Sequence, residues 1–149
     1  MPARDAPPVA LRAVVDTNIV VSSLFGGHPR VIMNLWRDRK LVLCLSDEIV
    51  AEYLEVLARF GDVKHELRDF LALLLQRDNV IFVTPKTLAK PRALDPDDTK
   101  FLACAVAAKA DVIISGDCRL LALRVVKRIP IIGPADFLAR LKSQTERST

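Results

Sequence analysis

Histidine, cysteine and long apolar runs are all scarce in this 149-residue chain, and each scarcity removes a class of function. The two histidines, His28 and His65, lie far apart with no cysteine beside either, so a zinc site lacks its ligands. The three cysteines, Cys44, Cys104 and Cys118, are odd in number, sit in or beside apolar stretches and lack metal-ligand spacing. That fits small buried thiols in a reducing compartment better than a secreted disulfide framework. No stretch reaches the length of a membrane span, and the opening Met1-Pro-Ala-Arg-Asp-Ala-Pro-Pro8 contains no apolar signal-peptide core. The expectation is a cytoplasmic protein with no membrane role. Internal repeats and a second composition regime are also lacking, so a single domain is expected over residues 11–142, with a flexible lead-in (1–10) and a flexible tail (143–149).

What is present is an ordinary globular composition, 51% hydrophobic and 27% charged, which argues against wholesale disorder. The formal net charge of +4 permits a polyanionic partner without requiring one. It becomes informative only beside the acids, because carboxylates gathered in one place leave the remaining surface more basic than the net figure suggests.

The chain is organised around Arg12-Ala-Val-Val-Asp-Thr-Asn18, a β-branched run that ends in an acid, a hydroxyl and an amide. Ala13–Asp16 is expected as a first strand, followed by an apolar helix or turn over Ile19–Phe25. Pro29 then opens a helix with Val31, Ile32, Leu35 and Trp36 inward. Leu41–Leu45 reads as a strand buried on both faces. Ser46 is a natural N-cap for a helix over Asp47–Phe60, and a further helix spans Asp62–Arg77 with Leu67, Phe70, Leu71, Leu74 and Leu75 as its stripe. Strands at Val80–Val83, Asp111–Ser115 and Ile129–Ile132 alternate with a polar loop at Thr84–Leu94, a helix over Asp97–Lys109 begun by Asp95-Pro96, a Leu120–Leu123 turn and a helix from Pro134 to about Lys142. Such alternation implies a parallel sheet of about five strands with helices on both faces, a three-layer α/β/α fold.

Helices between parallel strands run back antiparallel to them, so their N-termini lie at the edge where strands end. That edge collects Asp16 and Asp117 from strand exits, Asp98 from the first turn of one helix and Glu52 from the second turn of another. At about 100° per residue, Glu52 falls at the margin of the Ile49, Tyr53, Leu57 and Phe60 stripe, with Glu48 and Glu55 further round. Asp98 is flanked on its wheel by Leu102 and Ala105, with Phe101 close by, while Asp97 is turned well away. A carboxylate on an apolar face is costly unless paired or bound to a cation.

Each acid also has an ordinary reading. Asp95, Asp97 and Asp98 suit a helix cap and the helix dipole; Glu48, Glu52, Glu55 and Arg59 suit a solvated helix face; Asp117 after Ser-Gly suits a turn. Convergence from four segments weighs against all of these at once, since the pattern places no abundant base there to neutralise them. Hard divalent cations with oxygen ligands relieve such repulsion, and Mg2+ or Mn2+ is favoured over zinc. The chemistry that fits is metal-assisted phosphodiester hydrolysis.

Val14-Val-Asp-Thr-Asn-Ile19, Ser46 to Leu57 with Glu52, Asp95-Pro-Asp-Asp-Thr-Lys-Phe-Leu-Ala103, Ala110-Asp-Val-Ile-Ile-Ser-Gly-Asp117 with Leu120-Leu121, and Gly133-Pro-Ala-Asp-Phe-Leu138 together resemble the PIN-domain family. The likeness is to the branch of toxin components of toxin–antitoxin systems related to VapC toxins, and it covers Ala13 to Leu138. The resemblance implies a metal-dependent ribonuclease, often dimeric and inhibited by a cognate antitoxin. It puts the family's acids at Asp16, Glu52, Asp98 and Asp117 as catalytic and metal-binding residues, with Asn18 in support. Two positions depart from the family: Arg119 stands where many VapC toxins have another acid, which leaves the number of metals open, and Ser115 stands where threonine is common, which keeps the hydroxyl. Arg92, Lys100 and Arg119, near the acids in sequence, are the candidates for guiding the RNA strand.

Two other classes compete. A haloacid-dehalogenase-like metal-dependent phosphatase needs a second Asp where Asn18 stands, and a receiver domain needs a phosphorylatable Asp where Thr84-Pro85 stands. A non-catalytic PIN-like domain that binds RNA or protein is the remaining alternative, and the complete set of four acids counts against it.

Overall fold

The computed structural model describes residues 10–60, 64–76, 78–86 and 96–148. Its strands are β1 (Leu11–Val15), β2 (Leu41–Leu45), β3 (Val80–Phe82), β4 (Val112–Ile114), β5 (Val125–Val126) and β6 (Ile129–Ile132). Helices α1 (Thr17–Ser22), α2 (Gly27–Arg37), α3 (Asp47–Ala58), α4 (Lys64–Gln76), α5 (Pro96–Ala108), α6 (Cys118–Leu123) and α7 (Pro134–Ser148) surround them, with a short 3-10 turn at Ser23–Phe25. The sheet order is β3-β2-β1-β4-β6-β5. Five strands are parallel, as the alternation implies, and β5 adds a sixth that runs antiparallel to β6 at the edge.

The strands that read as unbroken apolar runs are the central ones. Ala13, Val14, Val15, Leu43, Cys44, Leu45, Ile113 and Ile114 are all completely buried, as strands covered on both faces must be. Chain direction explains the covering. The β1 to β2 and β3 to β4 crossovers travel in opposite directions across the sheet, so right-handed connections put their helices on opposite faces. One face carries α5 against β1, β2 and β4, while α2 packs against β2 and touches α1 and α7. Trp36, Tyr53 and Phe70 meet edge-on or tilted and close the core beneath α2, α3 and α4.

Several local expectations are corrected. Along α4, Phe70 and Leu74 are buried, whereas Leu75 is 87% exposed, because it stands about 140° round the helix from Phe70, at the margin of the expected stripe; the Leu67 side chain lies outside the described residues. Val31 of α2 is likewise exposed, and Met33 takes its place inside. Cys118 is exposed, unlike Cys44 and Cys104. Helix α7 continues through Ser148, past the expected end near Lys142, over a run that contains no glycine or proline to stop it. The lead-in through residue 9 and most of the Thr84–Leu94 loop, including Arg92, lie outside the described residues. Among the described residues no helix is long and apolar enough to cross a membrane.

Candidate active site

Strands β1 and β4 are neighbours, yet the chain leaves β1 towards β2 and leaves β4 towards β6. The crevice at their carboxyl ends is therefore the topological switch point, where open α/β sheets bind ligands. Asp16 directly follows β1, and its N–H donates to the Ile114 carbonyl at 3.0 Å, which holds it against the end of β4. Ser115 follows β4. Its hydroxyl donates to Asp16 Oδ2 at 2.6 Å and accepts from the Asp117 N–H at 3.0 Å. One buried hydroxyl thus ties the two strand-exit acids together.

Both acids also cap helices. Asp16 Oδ1 accepts from the Asn18 N–H at 3.2 Å at the start of α1, and Asp117 Oδ1 accepts from the Arg119 N–H at 2.8 Å at the start of α6. The turn reading of Asp117 is therefore geometrically true, and it coexists with a place in the cluster. Asn18 and Arg119 themselves are exposed.

The third acid comes from α3. Ser46 caps that helix by accepting from the Ile49 N–H, which fixes the register that puts Glu52 half-buried beside β1. The Thr17 hydroxyl donates to Glu52 Oε2, while Lys100 Nζ lies 2.6 Å from Glu52 Oε1. Next to Glu52, Tyr53 is fully buried and donates its hydroxyl to the Val15 carbonyl. Val15 and Thr17 flank Asp16, so two hydrogen bonds from α3 brace the backbone on both sides of that acid.

Sequence reasoning misses the parts of Thr17 and Tyr53. Thr17 is visible between Asp16 and Asn18 as a hydroxyl beside two polar residues, but Tyr53 reads as plain core on its stripe. Sequence reasoning also misses that a base neutralises part of the cluster: Lys100, a candidate for the RNA strand, is here paired with Glu52. Asp98 is half-buried in the first turn of α5, and Asp97 is exposed. Helix α5 packs against α3 as well as the sheet.

Burial pushes the Asp16 carboxyl above its ordinary pKa; the Ser115 and Asn18 hydrogen bonds oppose the shift, and the Asp117 and Glu52 charges add to it. Asp16 therefore senses both other acids. Burial also holds the Tyr53 hydroxyl well above its usual range and pushes the Cys44 and Cys104 thiols to about 11 and about 12, so neither buried thiol is a nucleophile.

The donor set is made of oxygen alone, which suits a hard divalent cation. Among the described residues, no three acidic, histidine or cysteine side chains are arranged to clasp one ion as they stand. Their oxygens have other partners: both Glu52 oxygens are engaged by Thr17 and Lys100, and Asp16 Oδ2 by Ser115. The residues fit the ion in type, and the Asp117 and Glu52 charges reach Asp16, but the side chains would have to rearrange, with Lys100 releasing Glu52, to hold it.

Residues 12–119 match the family model described as PIN domain, well over half of the chain. The chain belongs to the PIN-domain family. Among solved structures, this PIN domain resembles a chain of VapBC2 from Rickettsia felis bound to a DNA fragment from its promoter, with 12% identity and a TM-score of 0.55, covering 83% of this chain and 98% of that one. It also resembles PAE2754 from Pyrobaculum aerophilum, with 18% identity and a TM-score of 0.54, covering 90% of each chain. At such identities the likeness is one of fold. Among curated proteins no sequence match is found.

Proposed function

We propose that this PIN-domain chain is a metal-dependent endoribonuclease that hydrolyses RNA phosphodiester bonds, with Asp16, Glu52, Asp98 and Asp117 as its catalytic and metal-binding acids. The observation that carries the reading is Asp16: a buried carboxyl at the switch point of the sheet, under the repulsion of Asp117 and Glu52. Such a site is short of positive charge. A bound Mg2+ or Mn2+ would supply that charge, activate a water and stabilise the leaving oxygen.

The chain's own residues do the rest. Ser115 holds Asp16 and the Asp117 backbone in one arrangement, and Thr17 and Tyr53 set Glu52 against the end of β1. Asp98 would complete the ligand set from α5. A phosphatase of the two-aspartate kind fits less well, because Asn18 is exposed and cannot act as the second acid.

The finer reading is that the chain is the toxin component of a toxin–antitoxin pair, working as a homodimer in the cytoplasm and restrained by a cognate antitoxin. The likeness to a VapBC2 chain supports a protein partner of that kind. Incubating a mixed RNA pool with the protein in magnesium, manganese or EDTA, beside Asp16→Asn, tests the nuclease. Cleavage should need the cation and vanish in the variant. Equal cleavage by both proteins, or cleavage that persists in excess EDTA, would overturn it and leave a non-catalytic binding domain as the alternative.

A further inference from the structure

Five residues other than glycine adopt positive φ among the described residues, and every one is basic: Arg39 (62°), Lys109 (53°), Arg124 (64°), Lys127 (46°) and Arg128 (69°). Glycine, asparagine or aspartate would sit at such positions with less strain. Basic residues occupy all five.

Topology puts four of them in one place. Arg39 lies between α2 and β2, Lys109 between α5 and β4, and Lys127 and Arg128 form the two-residue turn between β5 and β6. All three connections lead into the amino ends of parallel strands, the edge opposite the acids. Across the sheet, β2, β4 and β6 are spread over the order β2-β1-β4-β6, so the bases form a row about 15 Å long at the usual strand spacing. Arg124 stands apart from this row: it caps the C-terminus of α6, and its carbonyl accepts from the Ile131 N–H towards the carboxyl end of β6. All five side chains are exposed.

Basic residues after helices meet the negative end of the helix dipole, and this accounts in part for Arg39, Lys109 and Arg124. It does not account for Lys127 and Arg128. Their hairpin has positive φ at both central positions, the turn for which Asn-Gly is preferred, and no helix ends there. The nearby acids are partly engaged: Asp78 pairs with Arg39, and Asp111 accepts from the Arg12 N–H at 2.8 Å.

We infer that this edge is a docking surface for the phosphate backbone of RNA, separate from the acid cluster. The choice of RNA as the polyanion rests on the nuclease reading above. An acid cluster repels phosphates, so the affinity of such a protein for RNA has to come from bases placed elsewhere. A strand held on this row and passing round the domain would meet the acids at the far ends of β1 and β4, about 16 Å away along a five-residue strand.

The geometry supplies a variant that separates charge from structure. In K109G/K127N/R128G, each charge is replaced by a residue suited to positive φ, so the protein should melt no lower than its parent. Binding of a labelled 20-nucleotide single-stranded RNA is measured in EDTA across a salt series, in an Asp16→Asn background that prevents cleavage. The variant should bind at least tenfold more weakly at low salt, with a salt slope shallower by about 0.7 for each phosphate that the protein ceases to neutralise. The charge-conserving K109R/K127R/R128K variant should bind as the parent does. Unchanged affinity and slope in the neutralised protein, or no RNA binding by the parent, would overturn the inference. Poly-glutamate competing as well as RNA at equal charge would also overturn it, by making the partner an acidic protein. Failure here leaves the nuclease reading intact, because that reading stands on cleavage by the wild type against Asp16→Asn.

Discussion

Lys100 Nζ sits 2.6 Å from Glu52 Oε1, joining two helices that approach the site from different parts of the chain. Both side chains are largely covered, at 12% and 25% exposure. An ammonium in this position does for Glu52 what a divalent cation would do for the whole cluster. A metal and Lys100 should therefore compete for the same carboxylate.

Replacing Lys100 by methionine keeps the stem and removes the charge. In EDTA the variant should be less stable by about 1–2 kcal/mol, between the values for an exposed pair and a buried one. Magnesium should then raise its melting temperature more than it raises that of the wild type, because Glu52 is free to receive the ion. Thermal melts with and without magnesium check this; equal magnesium shifts in the two proteins would show that Lys100 does not compete.

The raised pKa of Asp16 sets a pH dependence. Its folded-state pKa lies above the unfolded value of 3.8, so the folded protein holds the extra proton between the two values. Stability is then lost as pH rises through that window, and the whole penalty is present above the folded pKa. In EDTA, Asp16→Asn should melt above the wild type at neutral pH, with the difference closing as pH falls towards 4. A difference that stays constant over pH would mean that Asp16 ionises as it does in the unfolded chain.

Neighbouring acids should behave differently. Glu52→Gln and Asp98→Asn should abolish metal-dependent RNA cleavage, since both residues are half-buried on helices whose N-termini lie at the acid edge of the sheet. Glu55→Gln and Asp97→Asn should keep most of it, because Glu55 is exposed in an ion pair with Arg59 and Asp97 is exposed. Rates measured on one labelled RNA under one magnesium concentration make the comparison. Loss in all four variants would point to general charge rather than to a built site.

The parts of this arrangement that are legible in sequence are those governed by local rules. The apolarity of Val14-Val15 and Leu41–Leu45 marks strands buried on both faces, and Ser46 marks the start of α3. Short right-handed connections then bring Asp16, Glu52, Asp98 and Asp117 to one edge. Strand β5 is not legible, because its hairpin turns on Lys127-Arg128 where an Asn-Gly signal would be sought. Nor is the Lys100–Glu52 pair. A helical wheel gives the face of a side chain on its own helix, but not which base from a distant helix will reach it. Tyr53 shows the same limit at one atom: its ring belongs to the core stripe, and only the fold reveals that its hydroxyl meets the Val15 carbonyl.

The central claim is that acids from separate segments together hold a divalent cation. Calorimetric titration of Mn2+ into the wild-type protein at neutral pH tests it with no dependence on any RNA. Saturable uptake should be seen in the wild type and should be lost or strongly weakened in Asp16→Asn, with Glu55→Gln unchanged. Uptake that is equal in wild type and Asp16→Asn, or absent from the wild type, would contradict it.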